Sequence, residues 1–380
     1  MLSPSRFWPR GHRHLRTRLF TVLALESSAD DTCAAVVTST GQILSNIVVK
    51  QHHIHEDFGG IHPYKAVQAH QLNMPGAVQR ALRDANIAAA QVDGIAFTRG
   101  PGMTGCLGVG CSAAKTLAAA LNKPLVGVHH MQAHALTPTL TSAPNPPTFP
   151  FLTLLVSGGH TLLVLASSAS QFRVLATTVD ESIGRVFDKV SRMLALPWSA
   201  KGPGASLEEF VAASPAREDV APLMPRAMPG VLGFSFAGLH SAVERFVTAQ
   251  GGAASLDVST KHGLASAFQR TAVGQLEEKV VLALRWCRDQ GLGVRHLVVS
   301  GGVASNSYLR DRLGHSVINA TRQDPVSLVF PPPELCTDNA VMIGWASMHR
   351  FLAGNTDEYS ILIRPKWSLD DDIDIPQTES

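Results

Sequence analysis

Two histidines stand four residues apart in His129-His130-Met131-Gln132-Ala133-His134. On a helix, positions i and i+4 project from one face, so His130 and His134 could share a divalent metal. In a chain with 16 histidines this spacing also fits ordinary surface or core residues, and a metal site needs a third ligand. Asp338, in Cys336-Thr337-Asp338-Asn339, is the candidate. It stands where a helix should begin, so its carboxylate could either cap that helix or complete a His2Asp site, and spacing does not decide. Zinc proteases of the HExxH type carry their general base directly after the first histidine. This chain has Met131 there, and neither Gln132 nor Ala133 accepts a proton usefully, which argues against peptidase chemistry.

Three glycine turns follow apparent strands: Gly100-Pro101-Gly102, Ser157-Gly158-Gly159 and Ser300-Gly301-Gly302. Glycines at a strand exit let backbone N–H groups approach phosphate or carboxylate oxygens, so a nucleotide or acyl phosphate is a candidate ligand. Two SGG turns in one half of the chain carry more weight than any single one. Asp30 and Asp31 are adjacent acids in a turn, where a solvated or capping role is the ordinary expectation. Asp188, beside Lys189, could bond ribose hydroxyls or form a surface pair. The five cysteines (Cys33, Cys106, Cys111, Cys287, Cys336) are never spaced as CxxC, which argues against a disulfide framework or a zinc ribbon.

The elements that must position these residues repeat a plan. Val22 to Leu25, a polar turn, and Cys33 to Thr38 form one expected hairpin; Phe151 to Val156, Ser157 to His160, and Thr161 to Ala166 form a second. Helical spacing runs over Tyr64 to Asn86, Gly105 to Leu121 and Gly263 to Asp289, with a last helix over Asp338 to Leu352. Gly94 to Arg99 and Val294 to Ser300 read as strands, and the alternation predicts an α/β protein. At 380 residues two lobes are expected, with the proline-rich stretch Pro138 to Pro150 as connector. We therefore divide the chain into lobes 21–148 and 149–367, with the last helix (338–352) able to pack back on the first lobe. Residues 368–380 form an acidic tail expected to be solvated.

Hydrophobic residues make up 45% and charged residues 16%, a globular balance, and the apolar runs fall short of the ~20 residues of a membrane helix. Residues 1–20 hold Arg6, Arg10, Arg13, Arg16 and Arg18 with no lysine and no acid, the composition of a mitochondrial transit peptide. Loss of those five charges takes the formal net charge from +2 to −3. Any nucleic-acid contact must then come from a local patch.

Taken in order, LALESSADDT, TRGPGMTGCLGVGCSAAKTLA, VGVHHMQAH, LLVSGGHTLL, GRVFDK, GFSFAGL, VSGGVASNSYLR and FPPPELCTDNAVMIG resemble the motifs of the tRNA N6-adenosine threonylcarbamoyltransferases, the TsaD family, over residues 21 to 367. The resemblance implies an α/β, actin/Hsp70-like (ASKHA) fold of duplicated ribonuclease-H-like lobes with an interlobe active site. It implies one divalent metal, zinc or iron, on His130, His134 and Asp338. Leu155, Val156, Ser157, Gly158 and Gly159 would form the substrate loop, with Asp188, Gly202 and Asn306 as further substrate contacts. The implied reaction moves threonylcarbamoyl from L-threonylcarbamoyladenylate, made by a separate enzyme, to N6 of adenosine 37 of ANN-decoding tRNAs, releasing AMP. No catalytic side chain is assigned, and Asp31 is named only as a candidate base. Relatives with a mitochondrial leader resemble self-sufficient homodimers in the matrix.

The chain departs from the family pattern in four places, one of them a single-residue difference around Ser199 to Gly204, beside Gly202. Glu26-Ser27-Ser28-Ala29-Asp30-Asp31-Thr32 stands for ETSCDET, so a catalytic cysteine is absent and one acid is shortened; HHMQAH stands for HHMEGH; and His240 follows GFSFAGL where lysine is usual. Two other readings remain at this point. A non-catalytic scaffold of the same fold would not need the histidine pair and TDN, and an actin-like ATPase or sugar kinase would share the glycine turns but not the histidines.

Overall fold

The computed structural model describes residues 19–199, 202–213 and 223–371; the transit peptide expected over residues 1–20 lies outside it except for its last two residues. The first sheet is built from β1 (Thr21–Glu26), β2 (Asp31–Thr38), β3 (Ile43–Lys50), β4 (Gly94–Gly100) and β5 (Leu125–His129), in the order β3-β2-β1-β4-β5. Its helices are α1 (His52–His55), α2 (Pro63–Asp84), α3 (Thr104–Leu121) and α4 (His130–Thr141). The second sheet uses β6 (Phe151–Val156), β7 (Thr161–Ala166), β8 (Phe172–Thr177), β9 (His296–Ser300) and β10 (Ser327–Val329), in the order β10-β9-β6-β7-β8. The remaining helices are α5 (Ile183–Met193), α6 (Pro203–Ala212), α7 (Ala237–Ala249), α8 (Val258–Asp289), α9 (Ser307–Ala320), α10 (Pro333–Cys336) and α11 (Ala340–Leu352).

In each sheet an antiparallel three-strand meander continues into two parallel strands: β1 pairs β2 antiparallel and β4 parallel, and β6 pairs β7 antiparallel and β9 parallel. This is one topology used twice, the duplicated ribonuclease-H-like plan of actin/Hsp70-like proteins.

Period-two alternation explains why β1 and β2 are apolar throughout. Val22, Ala24, Cys33, Ala35 and Val37 face one way, onto Val341, Met342 and Phe351 of α11. Leu23, Leu25, Ala34 and Val36 face the other way, onto Met74, Ala77 and Ala81 of α2 and Ala114 and Ala118 of α3. A strand covered on both faces reads as a continuous hydrophobic run. The last helix of the chain thus completes the first sheet, each large side chain contributing roughly 1.5–3 kcal/mol by burial. By length and mean hydropathy (1.2) α3 passes the test for a membrane-crossing helix, but its Cys106, Leu107, Gly110, Cys111, Ala114 and Ala118 are buried in the protein. In the second lobe, Leu152, Leu154, Val156, Leu297 and Val299 pack with Val186, Phe187, Phe268 and Leu276 from α5 and α8.

Three expectations are corrected. The connector begins later than Pro138, because α4 runs through it to Thr141. Proline removes one helical hydrogen bond here, one turn from the helix end, and Thr137 Oγ1 and Thr139 Oγ1 bond back to Ala133 and Leu136 carbonyls at 2.8 and 2.6 Å. The last helix begins at Ala340 instead of Asp338, because Asn339 takes the cap position with its side chain accepting from Met342 N at 2.9 Å. The start of the acidic tail is packed, with Trp367 and Leu369 buried against Met131, Ala135, Leu155 and Val164. Residues 372–380 of that tail lie outside the described residues.

A candidate metal centre between the lobes

Both sheets direct the carboxyl ends of their parallel strands at one cleft, the usual ligand position in open α/β folds. From the first lobe come Glu26 at the end of β1, the turn to Asp31, and His130 and His134 on α4, which directly follows β5. From the second come Ser157 to Gly159 after β6, Gly301 and Asn306 after β9, and Asp338 before α11.

With Asn339 acting as the cap, the Asp338 carboxylate is available to the histidines. Its Oδ1 lies 3.1 Å from His134 Nε2 and 3.5 Å from His130 Nε2. One ligand atom from each of the three residues falls within 4.8 Å of the others. Ligands about 2.0–2.2 Å from a tetrahedral centre stand roughly 3.3 Å apart, which suits the two carboxylate–imidazole separations.

The surroundings fit a cation as well. Glu26, fully buried, accepts from His130 Nδ1 at 3.2 Å, which turns Nε2 toward Asp338. A carboxylate behind a histidine ligand is the common arrangement that fixes tautomer and ring orientation. Glu26 is itself held by Ser28 N at 2.5 Å and by the Thr98 hydroxyl. His134 Nδ1 is buried without a hydrogen-bond partner among the described residues, the loose end of the set. His160 stands close enough for its charge to be felt by Asp338, and burial followed by His130 and His134 pushes it down to about 4.

Sequence reasoning missed Glu26 and His160 as neighbours of the site. The available signal for Glu26 was an acid closing an apolar strand, since a fully buried carboxylate requires a partner.

The electrostatics are those of crowded acids. Burial works against the His130 cation, but the carboxylates of Asp338 and Glu26 outweigh it and hold the imidazole at about 9. Burial leaves His134 below its ordinary value. Asp338 is held well below the carboxylate range, its desolvation overcome by His130 and His134. His130 thus stands between two carboxylates, Glu26 at Nδ1 and Asp338 at Nε2, and a divalent cation could replace the proton on Nε2.

Burial, then Asp338, pushes Asp30 up to about 6, and burial, then Asp30 and Asp338, pushes Asp31 up to about 8. Asp31 is 8% exposed and lies within β2, so the solvated role expected of a turn acid is overturned by packing.

The glycine turns differ among themselves. In Gly100-Pro101-Gly102, a Cβ on Gly100 would stand 1.8 Å from the Arg364 carbonyl oxygen and one on Gly102 would stand 2.8 Å from Ser28, so close packing sets these glycines. Gly301 has φ +99° and would place a Cβ 2.4 Å from Val156 O, another packing requirement. Gly158 and Gly159 meet nothing within 4 Å and face open space. Ser157 Oγ accepts from Gly159 N at 3.3 Å and His160 N at 3.1 Å, shaping that loop.

Leu155 and Val156 are buried strand residues. Asp188 Oδ1 accepts from Gly204 N at 2.8 Å, and burial pushes its carboxyl up to about 6. Gly202, at φ +103°, precedes α6, and Asn306 caps α9 by accepting from Leu309 N at 2.8 Å. Asp30 feels Asp188 across the cleft, so these second-lobe groups face the acids of the first.

The fold places the chain among two-lobed actin/Hsp70-like proteins. Its structure is similar to a HypF from T. kodakarensis, with TM-score 0.53, 13% identity, and coverage of 88% of this chain and 48% of that one. It is also similar to component A of the (R)-2-hydroxyglutaryl-CoA dehydratase of Acidaminococcus fermentans, with TM-score 0.50, 13% identity, and coverage of 87% and 98%. At such identities these likenesses concern the fold alone.

The sequence is more specific. Residues 42–345 match the family described as TsaD, tRNA N6-adenosine threonylcarbamoyltransferase. The chain is 39% identical to a probable mitochondrial tRNA N6-adenosine threonylcarbamoyltransferase of Arabidopsis thaliana, over 92% of this chain and 74% of that one. It is 37% identical to the mitochondrial enzyme of that name from Schizosaccharomyces pombe, over 97% and 91%. The chain belongs to the tRNA N6-adenosine threonylcarbamoyltransferase family.

Proposed function

We propose that this protein transfers threonylcarbamoyl from L-threonylcarbamoyladenylate to N6 of adenosine 37 of ANN-decoding tRNAs in the mitochondrial matrix, releasing AMP. The observation that carries the reading is the convergence of His130, His134 and Asp338 in a cleft faced by the open Gly158-Gly159 turn.

When bound on those three ligands, a divalent cation, zinc or iron, supplies Lewis-acid polarisation of the mixed anhydride and counter-charge for its phosphate. The protein's own residues do the rest. Main-chain atoms of Leu155 to Gly159 line the donor, Asp188 and Gly202 line its nucleoside, and Asn306 adds a contact from the second SGG turn. N6 of the target adenine attacks the carbamoyl carbon, the bond from that carbon to the phosphate oxygen breaks, and AMP leaves with the electron pair. The N6 proton must pass to a base. Asp31, pushed up to about 8 mainly by burial, is the carboxyl whose affinity suits proton exchange near neutral pH.

A homodimer completes the reading. Tyr64 and Leu72 are 65% and 81% exposed and stand eight residues apart on α2, next to exposed Phe58 and Ile61, so this face suits a second copy.

The test is transfer of label from threonine to a mitochondrial ANN-decoding tRNA by the full chain and a donor-forming enzyme. His130→Ala with His134→Ala serves as control. We expect modified adenosine from the wild type and none from the variant. No product from folded, metal-loaded wild type supplied with donor would overturn the transferase reading in favour of a scaffold.

A further inference from the structure

His130, the first ligand, is also the first residue of α4, where a helix is most easily unwound. His129 occupies the cap position before it. Its Nδ1 accepts from Met131 N at 3.1 Å and Gln132 N at 3.4 Å. Histidine is not among the usual capping residues, and it can accept at Nδ1 only with its proton on Nε2. That proton is donated to the carbonyl oxygen of Trp367, 3.2 Å away. The His129 ring also packs on the Trp367 indole, with centroids 4.6 Å apart.

Trp367 belongs to a C-terminal strap that spans both lobes. On the first lobe, Arg364 N donates to Arg99 O at 2.8 Å, and Gly102 N donates to Pro365 O at 3.2 Å. On the second, Val174 N donates to Asp370 Oδ1 at 2.7 Å. Between these anchors the indole lies under the Arg99 and Arg364 guanidinium groups, 5.4 and 4.6 Å from its centroid.

We infer that His129 is a positioning residue for the metal-ligand helix, and that the C-terminal strap sets it by fixing the His129 tautomer through the Trp367 carbonyl. The inference rests on the reading of His130, His134 and Asp338 as metal ligands. His129 is fully buried, so its loss leaves two helix N–H groups without water to replace it, and the first turn loosens around His130.

The test compares wild type, His129→Ala, His129→Asn and Trp367→Ala in zinc affinity, by chelator competition, and in hydrogen exchange of the Met131 and Gln132 amides without metal. Losses of support behind a histidine ligand typically lower metal affinity 10–100-fold, and we expect that range for His129→Ala. Asparagine keeps a capping acceptor, so His129→Asn should stay within about threefold of wild type. Trp367→Ala keeps the carbonyl but frees the strap, so it should weaken zinc binding and speed exchange of both amides. Wild-type affinity in folded His129→Ala, or equal impairment in the asparagine variant, would overturn the inference. If His129→Ala does not fold, unchanged exchange and affinity in Trp367→Ala would do the same. Failure of wild type to bind zinc would instead sink the metal reading, while the metal-free exchange still reports on the cap.

Discussion

Replacing Glu26 by glutamine changes one buried atom and leaves the volume of the site intact. In the wild type, Oε2 takes the His130 Nδ1 proton and the Thr98 hydroxyl, while Oε1 takes Ser28 N at 2.5 Å. Glutamine can keep an oxygen for His130 and Thr98 only by turning its amide nitrogen onto Ser28 N, donor against donor. The opposite rotamer faces His130 Nδ1 with a donor, which favours the tautomer with its proton on Nε2, the nitrogen nearest Asp338. Either arrangement costs the order of one buried hydrogen bond, roughly 1–3 kcal/mol. Changes behind a histidine ligand typically lower metal affinity 10–100-fold, about 1.4–2.8 kcal/mol, and the two estimates agree. The assay is titration of the metal-free protein with zinc against a chromophoric chelator, with circular dichroism as the check on folding. A folded Glu26→Gln protein that binds zinc within twofold of wild type would refute the claim that Glu26 orients His130.

Other perturbations separate structural from functional roles. Asp31 has a folded value raised from 3.8 to about 8, so its contribution to stability is present below pH 4 and lost as pH rises through 8. At about 1.4 kcal/mol per unit, the metal-free protein should lose at most about 4 kcal/mol between pH 5 and 8 from this group. Asp31→Asn should flatten that slope in urea unfolding, and an unchanged slope would count against a raised Asp31. Asp357, bonded to Arg350 at 3.0 and 3.1 Å and to Gly127 N at 2.8 Å, pins the strap to α11 and β5 in a buried pair. Asp357→Ala should cost about 3–5 kcal/mol, since the buried Arg350 loses its carboxylate and keeps only the Gly127 carbonyl and Asn355, and a loss below 1 kcal/mol would contradict that accounting. Gly301→Ala should destabilise the fold, because its Cβ would meet Val156 O, whereas Gly159→Ala should leave Tm within about 1 °C and act, if at all, on substrate affinity. Equal Tm losses for the two would remove the distinction between a packed and an open glycine turn.

The two lobes were legible because period-two and period-3.6 patterns are local, and both hairpins and the long helices fall where they predict. The candidate metal centre was legible only in part. His130 and His134 share a helix, but Asp338 lies 204 residues beyond His134, and chain spacing cannot report a contact of that range. Its role was ambiguous because Asp338 and Asn339 are adjacent residues of the two types that cap helices best, and only the backbone decides which one does so. Trp367 was hidden by its company. A segment rich in aspartate reads as solvated, although the indole beside two arginines, Leu369 and the Asp370 carboxylate together fasten it. Asp31 was misjudged for the opposite reason, since nothing in an Asp-Asp pair records that its second member enters β2 and is buried there.

The charge pattern of the cleft also bears on what a cation would do there. Glu26, Asp30, Asp31 and Asp338 influence one another's protonation, and Lys50 is the cation that pulls Asp30 and Asp31 back down. On the proposed function, such a cleft would by itself repel an adenylate phosphate and the anticodon loop of an RNA. Protonating the acids would remove the repulsion, but it would also remove the carboxylates that hold His130 and any base for the N6 proton. On that reading a divalent ion on His130, His134 and Asp338 would resolve the conflict by supplying positive charge for the phosphate while leaving the outer acids ionisable.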